Sequence, residues 1–128
     1  MAIAKKLKNK KMNDATFELR KEVMKILYDV KKVVDLPRIT VRITENNGGI
    51  LGLAKLGKNT IWIPERMFKG DDHLYLYEVV CHELVHAVLG LGHNENCPLM
   101  RSHIGQRALT REQCNIIMKR YFSSQAPM

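Results

Sequence analysis

The spacing of apolar residues changes along the chain, and each spacing predicts a different structural element. Residues 14 to 35 place apolar side chains near the 3.6-residue period of an amphipathic helix, and Leu36-Pro37 closes this segment. The next stretch, ITVRITE at residues 39 to 45, alternates apolar and polar side chains. Because such alternation is typical of a strand with one buried face, the sequence predicts a helix followed by a strand.

Two shorter apolar runs, residues 50 to 56 and residues 60 to 63, predict two further strands. An Asn-Asn-Gly-Gly turn precedes the first run, and Gly-Lys-Asn joins the two. Pro64 ends the last strand because proline has no N–H to donate to a sheet. We therefore expect a sheet of about three strands.

Helical periodicity returns in the second half of the chain. We expect a second helix to begin near Asp71 or Asp72 and to run through Leu89. A third helix is expected to start at Thr110, because Thr110 and Gln113 have the spacing of a capping box. The order α-β-β-β-α-α predicts the α+β fold class with a small mixed sheet.

Length and composition favour one globular domain. Of the 128 residues, we assign residues 14–128 to this domain and residues 1–13 to a basic, flexible tail. No stretch is apolar enough to span a membrane, and the N-terminus lacks the apolar region of a secretory signal. Three cysteines, an odd number, favour reduced thiols over a disulfide framework. The sequence therefore predicts a cytoplasmic protein, which we expect to be a monomer without a membrane partner.

The net charge of +8 is concentrated at the N-terminus. Five lysines lie in the first eleven residues, and removing these five charges from +8 leaves +3. The tail is either a solvated leader or an arm for nucleic acid or an acidic partner, and both interpretations stay open.

The stretch CHELVHAVLGLGHNENCPLM, residues 81 to 100, carries the candidate chemistry. His82 and His86 are four residues apart, so on a helix they project from one face, about 6 Å apart along the axis. Two imidazoles so placed can hold one Zn²⁺, and Glu83 is positioned to take a proton from zinc-activated water. This is the H-E-x-x-H pattern of metal-assisted peptide hydrolysis, with Glu83 as the catalytic base.

His93 is the candidate third metal ligand. If the helix continued, His93 would lie about 10 Å beyond His86 along the axis, too far for one ion. Gly90 and Gly92 allow the helix to stop and the chain to turn back, because glycine tolerates the left-handed conformation. Three histidines and a water make an open, catalytic type of zinc site.

Other third ligands are few. No aspartate follows Asp72, and Glu95 and Glu112 are the only glutamates after His86. Cys97 is a potential soft ligand, although a structural thiol explains it as well. A zincin whose third ligand is a glutamate therefore remains an alternative to the three-histidine site.

These residues resemble the metzincin clan of zinc metallopeptidases, which includes matrix metalloproteinases, astacins and archaemetzincins. The clan's motif is H-E-x-x-H-x-x-G-x-x-H, followed by a methionine turn. His82, Glu83, His86 and His93 match the motif, and Met100 resembles the turn methionine, which the resemblance places as an apolar floor beneath the zinc ligands. The interval from His86 to His93 is one residue longer than in the clan, and we expect a longer turn to absorb the difference.

The resemblance extends to two other segments. GGILGLA, residues 48 to 54, is similar to the segment leading into the clan's substrate-binding edge strand. It implies that an extended peptide would pair along this edge, and the implied substrate-binding residues are Ile50, Leu51, Gly52, Leu53 and Ala54. LTREQCNIIMKRYF, residues 109 to 122, is similar to the terminal helix of the matrix-metalloproteinase catalytic domain.

The sequence thus favours a compact zincin that uses one catalytic Zn²⁺ to cleave protein or peptide substrates. Two alternatives remain. One is a SprT-like or glutamate-liganded zincin acting on nucleic-acid-bound proteins. The other is a non-catalytic nucleic-acid-associated protein that zinc only stabilises.

Overall fold

The structure is a computed structural model that describes residues 14–45, 51–68, 70–103, 105 and 107–124, with only the backbone of the first two residues. The predicted basic tail, residues 1–13, lies outside the described residues, as does Ile50 of the predicted substrate-binding segment. Within the described ranges, no helix is both long enough and apolar enough to cross a membrane.

The first helix, α1, spans Asp14–Lys31 and buries one apolar face. It ends four residues before the predicted limit at residue 35. The reason is that the N–H groups of Val33 and Val34 both bond to the carbonyl of Val30, at 2.9 and 3.0 Å, which tightens the last turn. The chain then leaves the helix axis and enters the sheet.

The sheet contains three strands in the order β1-β3-β2. They are β1 (Thr40–Thr44), β2 (Leu53–Ala54) and β3 (Thr60–Pro64). The central strand β3 pairs parallel to β1 and antiparallel to β2, so the predicted mixed sheet is confirmed. The second strand is much shorter than the predicted run of residues 50 to 56, because only two of its residues pair with β3.

A continuous helical stretch follows the sheet from Asp71 to Leu89, as predicted. Its winding changes twice, however: Asp71–Tyr75 is a 3₁₀-helix, Leu76–Leu84 is the α-helix α2, and Val85–Leu89 is a π-helical turn. A shorter 3₁₀-helix, Glu65–Phe68, connects this region to β3.

The last helix, α3, spans Arg111–Ser124. Its predicted capping box is present. The N–H of Gln113 donates to Thr110 Oγ1 at 3.1 Å, and the N–H of Thr110 donates to Gln113 Oε1 at 2.9 Å. The helix start is therefore set by side chains that the sequence already identified.

All three α-helices and the sheet contribute to one hydrophobic core. The largest fully buried side chains come from all three α-helices, β3, the first 3₁₀-helix, the π-helical turn and the segment before α3, and include Leu19, Val23, Ile61, Ile63, Met67, Leu84, Leu99, Met100 and Met118. The predicted α+β class is confirmed. The core packs α2 against the sheet, and this packing fixes the wall of the cleft described next.

Candidate metal centre

A cleft of about 620 Å³ lies between α2, the edge strand β2 and the segment that follows the π-helical turn. All four residues of the candidate site line it: His82, Glu83, His86 and His93. Residues from three separate parts of the chain therefore meet at one concave surface.

His82 and His86 lie one turn apart and are each fixed by a backbone carbonyl. The Nδ1–H of His82 donates to Leu99 O at 2.6 Å, and the Nδ1–H of His86 donates to Leu91 O at 2.5 Å. A carbonyl can only accept, so both rings carry their proton on Nδ1. The two Nε2 atoms are left with free lone pairs.

These two Nε2 atoms face each other at 3.1 Å. Burial lowers the pKa of His82 to about 4 and also lowers the pKa of His86, which keeps both rings neutral near pH 7. Two lone pairs at this distance repel each other unless a cation lies between them. Because Zn–N bonds of about 2.0 to 2.1 Å at a tetrahedral angle place two nitrogens about 3.4 Å apart, the pair fits a zinc ion.

His93 completes a group of three imidazoles. Its ring centroid lies 5.3 Å from that of His82 and 4.9 Å from that of His86. Candidate ligand atoms of the three residues all lie within 4.8 Å of one another. His82 and His86 are largely buried whereas His93 is exposed, so the third ligand and any fourth position face the cleft.

The longer interval between His86 and His93 is absorbed inside the helix. His86 belongs to the π-helical turn Val85–Leu89, whose i→i+5 bonding holds one residue more per turn than an α-helix. We expected a longer turn to take up this residue. The wide helical turn runs from Val85 to Leu89 and accommodates it before the chain reverses at Gly90.

The π-helical turn is joined to the sheet through its carbonyl groups. The N–H of Gly57 donates to His86 O and the N–H of Asn59 donates to Ala87 O, both at 3.0 Å. Gly57 and Asn59 reach these carbonyls with φ angles of 71° and 56°, in the left-handed region. The turn between β2 and β3 therefore positions the backbone of a metal-ligand candidate.

The helix ends at Gly90, as the sequence predicts. Gly90 has φ 70° and ψ 20°, and its N–H donates to His86 O at 3.1 Å. Gly92 was expected to serve the same purpose, but its φ angle is not positive. A Cβ at Gly92 would also meet no atom within 4 Å. Only Gly90 is required for the chain reversal.

The segment containing Met100 supports two of the three histidines. Leu99 O accepts the Nδ1–H of His82. Met100 is fully buried, and its carbonyl accepts the N–H of Asn94, the residue after His93, at 2.8 Å. Met100 therefore helps to hold the segment that carries His93. Its position as an apolar floor beneath the candidate ligands stays a prediction.

Glu83 is a buried carboxyl group at the cleft, only 6% exposed. Burial raises the pKa of Glu83 to about 8. Gly52 passes close beside it: a Cβ at Gly52 would lie 2.9 Å from Glu83 Oε2 and 2.8 Å from Val79 Cγ1. The backbone of the segment before β2 thus fits against the candidate base only because residue 52 has no side chain.

The described part of the predicted substrate-binding segment lies at the cleft, and its role in binding a substrate stays a prediction. Leu51, Gly52, Leu53 and Ala54 all line the cleft. Leu53 and Ala54 form the strand β2, which is a sheet edge, since β3 is its only partner among the described strands. An extended chain could bond to this edge within reach of the histidines.

Sequence reasoning missed several residues that line the cleft. Glu78 lies four residues before His82 on the same helix face, and this spacing could have identified it. Its Oε1 accepts the N–H of Leu109 at 2.8 Å, and burial raises its pKa. Arg101, Ser102 and His103 also line the cleft; they belong to the segment after Met100 that was expected to wall such a pocket, although no periodic signal singled them out.

The alternative ligands make other contacts. Hydrogen bonds from the side chain and the N–H of Ser102 lower the pKa of Glu95. His73 pairs with Glu22 at 2.7 Å. Among the described residues, neither Glu112 nor Cys97 belongs to the group of potential metal ligands, which contains the three histidines alone.

Comparison of the chain with protein-family profiles, curated proteins and solved structures gave no match.

Proposed function

We propose that this protein is a zinc-dependent endopeptidase that hydrolyses protein or peptide substrates in the cleft. The observation that carries the proposal is the pair of Nε2 lone pairs facing each other at 3.1 Å, with His93 beside them. A cation relieves that repulsion, and three neutral imidazoles form the open ligand set of catalytic zinc.

His82, His86 and His93 would hold the ion. A bound Zn²⁺ supplies a Lewis acid that lowers the pKa of water and polarises a substrate carbonyl. Glu83, in the same cleft, would take a proton from the attacking water as a carboxylate and give it to the leaving amine; the positive charge of a bound Zn²⁺ would lower its pKa from the value that burial alone gives. The edge of β2 aligns an extended substrate by backbone hydrogen bonds.

The experiment compares the wild-type protein with Glu83→Gln after zinc loading. Each protein is analysed for zinc by mass spectrometry and assayed on a library of unstructured peptides. We expect one zinc per chain in both proteins and a loss of about 10²- to 10⁴-fold in kcat/KM for Glu83→Gln.

Two results would contradict the proposal. A zinc-loaded wild-type protein that cleaves no peptide would exclude endopeptidase activity. Full activity in Glu83→Gln would refute the base assignment and leave the metal site standing.

A further inference from the structure

A second concave surface, which we call the α1–β1 groove, lies at the sheet edge opposite the cleft. The strand order β1-β3-β2 places β1 at one edge and the cleft-lining β2 at the other. The groove has a volume of about 420 Å³. Buried Leu27 and Val41 form its apolar floor, while Arg20, Tyr28, Lys31 and Arg38 contribute its polar lining.

The groove is strongly cationic. Arg20, Lys31 and Arg38 line it, and none of the described carboxylates does. On α1, Glu22 pairs with His73 and Asp29 pairs with Arg111. Asp35, which lies in sequence between Lys31 and Arg38, is not among the lining residues. The excess of positive charge in the lining favours an anionic ligand.

One of these cations is held in place. The Nη1–H of Arg20 donates to the carbonyl of Val41, in the edge strand β1, at 2.9 Å. This bond fixes a guanidinium group at the groove while leaving its other N–H groups to bind an anion such as phosphate.

An aromatic ring stands beside the cations. Tyr28 is 63% exposed, and the ammonium group of Lys32 lies 4.6 Å from the centroid of its ring. Met24, which also lines the groove, is 46% exposed. A cationic groove with an exposed aromatic ring is the combination by which proteins bind single-stranded nucleic acids: charges follow the phosphates, and a base stacks on the ring.

We propose that the α1–β1 groove binds single-stranded nucleic acid, with phosphates at Arg20, Lys31 and Arg38 and a base stacked on Tyr28. A single strand fits better than a duplex because unpaired bases expose their faces for stacking. It fits better than an acidic protein because carboxylates alone do not use Tyr28. The inference requires neither a metal ion nor the proposed hydrolysis.

The test measures fluorescence anisotropy of a labelled oligothymidine of about 12 nucleotides, a duplex of equal length and polyglutamate, over a range of salt concentrations. The double variant Lys31→Glu/Arg38→Glu is compared with Lys119→Glu/Arg120→Glu. The control changes the same two residue types, both exposed on α3 and outside the groove.

We expect the groove double variant to bind oligothymidine at least tenfold more weakly, with a salt slope reduced by about 1.4 for two lost phosphate contacts. The α3 double variant should change affinity by less than about twofold, because its residues do not line the groove. Tyr28→Ala should lose about tenfold in affinity, whereas Tyr28→Phe, which keeps a stacking ring, should bind as the wild type does.

Several results would overturn the inference. They are equal losses in the two double variants, unchanged binding in Tyr28→Ala, or a duplex or polyglutamate bound as tightly as the single strand. Wild-type affinity in the groove double variant would also overturn it, since other residues, such as the N-terminal lysines, would then carry the binding. Tyr28→Ala should keep peptide hydrolysis and Glu83→Gln should keep oligonucleotide binding, so failure of this inference is distinguishable from failure of the proposed function.

Discussion

The three histidines of the cleft are held in two different ways. His82 and His86 are carried by one helical stretch, and a backbone carbonyl fixes each ring through Nδ1. His93 is exposed and lies in irregular backbone, held indirectly because the next residue, Asn94, bonds to Met100 O. The helix therefore sets the spacing of two candidate ligands as soon as it forms, but the orientation of both rings, like the position of His93, depends on chain beyond Gly90.

The largest loss of zinc binding and hydrolysis is expected from removing one of the two histidines of the helical stretch, His82 or His86. His86→Ala should abolish both stoichiometric zinc binding and hydrolysis, because His93 alone cannot replace an oriented ligand. Metal analysis after zinc loading and dialysis measures the first effect, and a peptide assay measures the second.

His73→Ala is the matched control, since His73 pairs with Glu22 outside the cleft. It should keep zinc and activity. A thermal melt of both variants separates loss of metal from loss of fold, and stoichiometric zinc in a folded His86→Ala would refute its role as a ligand.

His93→Ala should weaken zinc binding while leaving the apo fold unchanged. Removing a partner of a metal ligand costs about 10- to 100-fold in affinity, so removing a ligand should cost at least about 100-fold. Competition with a zinc-binding dye measures the affinity. His103 is an exposed histidine that lines the same cleft, and the control variant His103→Ala should bind zinc normally. If both variants lost the same affinity for zinc, the assignment of His93 as a ligand would be contradicted.

Gly52→Ala tests the approach of the β2 segment to the candidate base. The added Cβ would lie 2.9 Å from Glu83 Oε2, so the carboxyl group or the strand must move. We expect about a tenfold loss in kcat/KM with zinc retained, and about 1 to 3 kcal/mol lost from the free energy of unfolding.

Gly105→Ala is the control, because the close contact of its Cβ, again at 2.9 Å, would be with the end of the flexible Arg101 side chain, and the next, with Arg107 O at 3.8 Å, is ordinary van der Waals contact. It should change activity and stability little. If Gly52→Ala were equally mild, the contact between residue 52 and Glu83 would not constrain the site.

The smallest expected effect is the difference in stability between the variants Gly90→Ala and Gly92→Ala. Gly90→Ala forces a side chain into the left-handed region and should destabilise the protein by about 1 kcal/mol, lowering the melting temperature by about 4 °C. Gly92→Ala should be neutral within about 0.5 kcal/mol, because a Cβ there would meet nothing within 4 Å. Equal melting temperatures would contradict the assignment of the helix end to Gly90 alone.

Much of the fold was predictable because its signals are local. Helical periodicity, strand alternation and the Thr110–Gln113 capping box each depend on residues close in sequence. The true length of β2 was not predictable, since only pairing with β3 decides which of its residues join the sheet. The early end of α1 at Lys31 likewise depends on how the last turn tightens.

The candidate site also has features that local sequence predicted and features that it could not predict. The spacing of His82 and His86 predicted a pair on one helix face, and Gly90 predicted the end of the helix. The π-helical turn was not predictable, because the apolar pattern of residues 71 to 89 indicates a helix without distinguishing α from π winding. The cleft wall at residues 101–103 depends on loop geometry and carries no periodic signal.

The wide turn at Val85–Leu89 has a consequence for how such sites are recognised. Where a helix widens locally to hold one extra residue, the number of residues between two side chains no longer determines how far apart they lie in space. A search pattern demanding a fixed count between the second and third imidazole would pass over this protein, although its three rings converge on a common point. A search that uses the relative positions of the three imidazole rings, without fixing the number of residues between them, would recognise such a site.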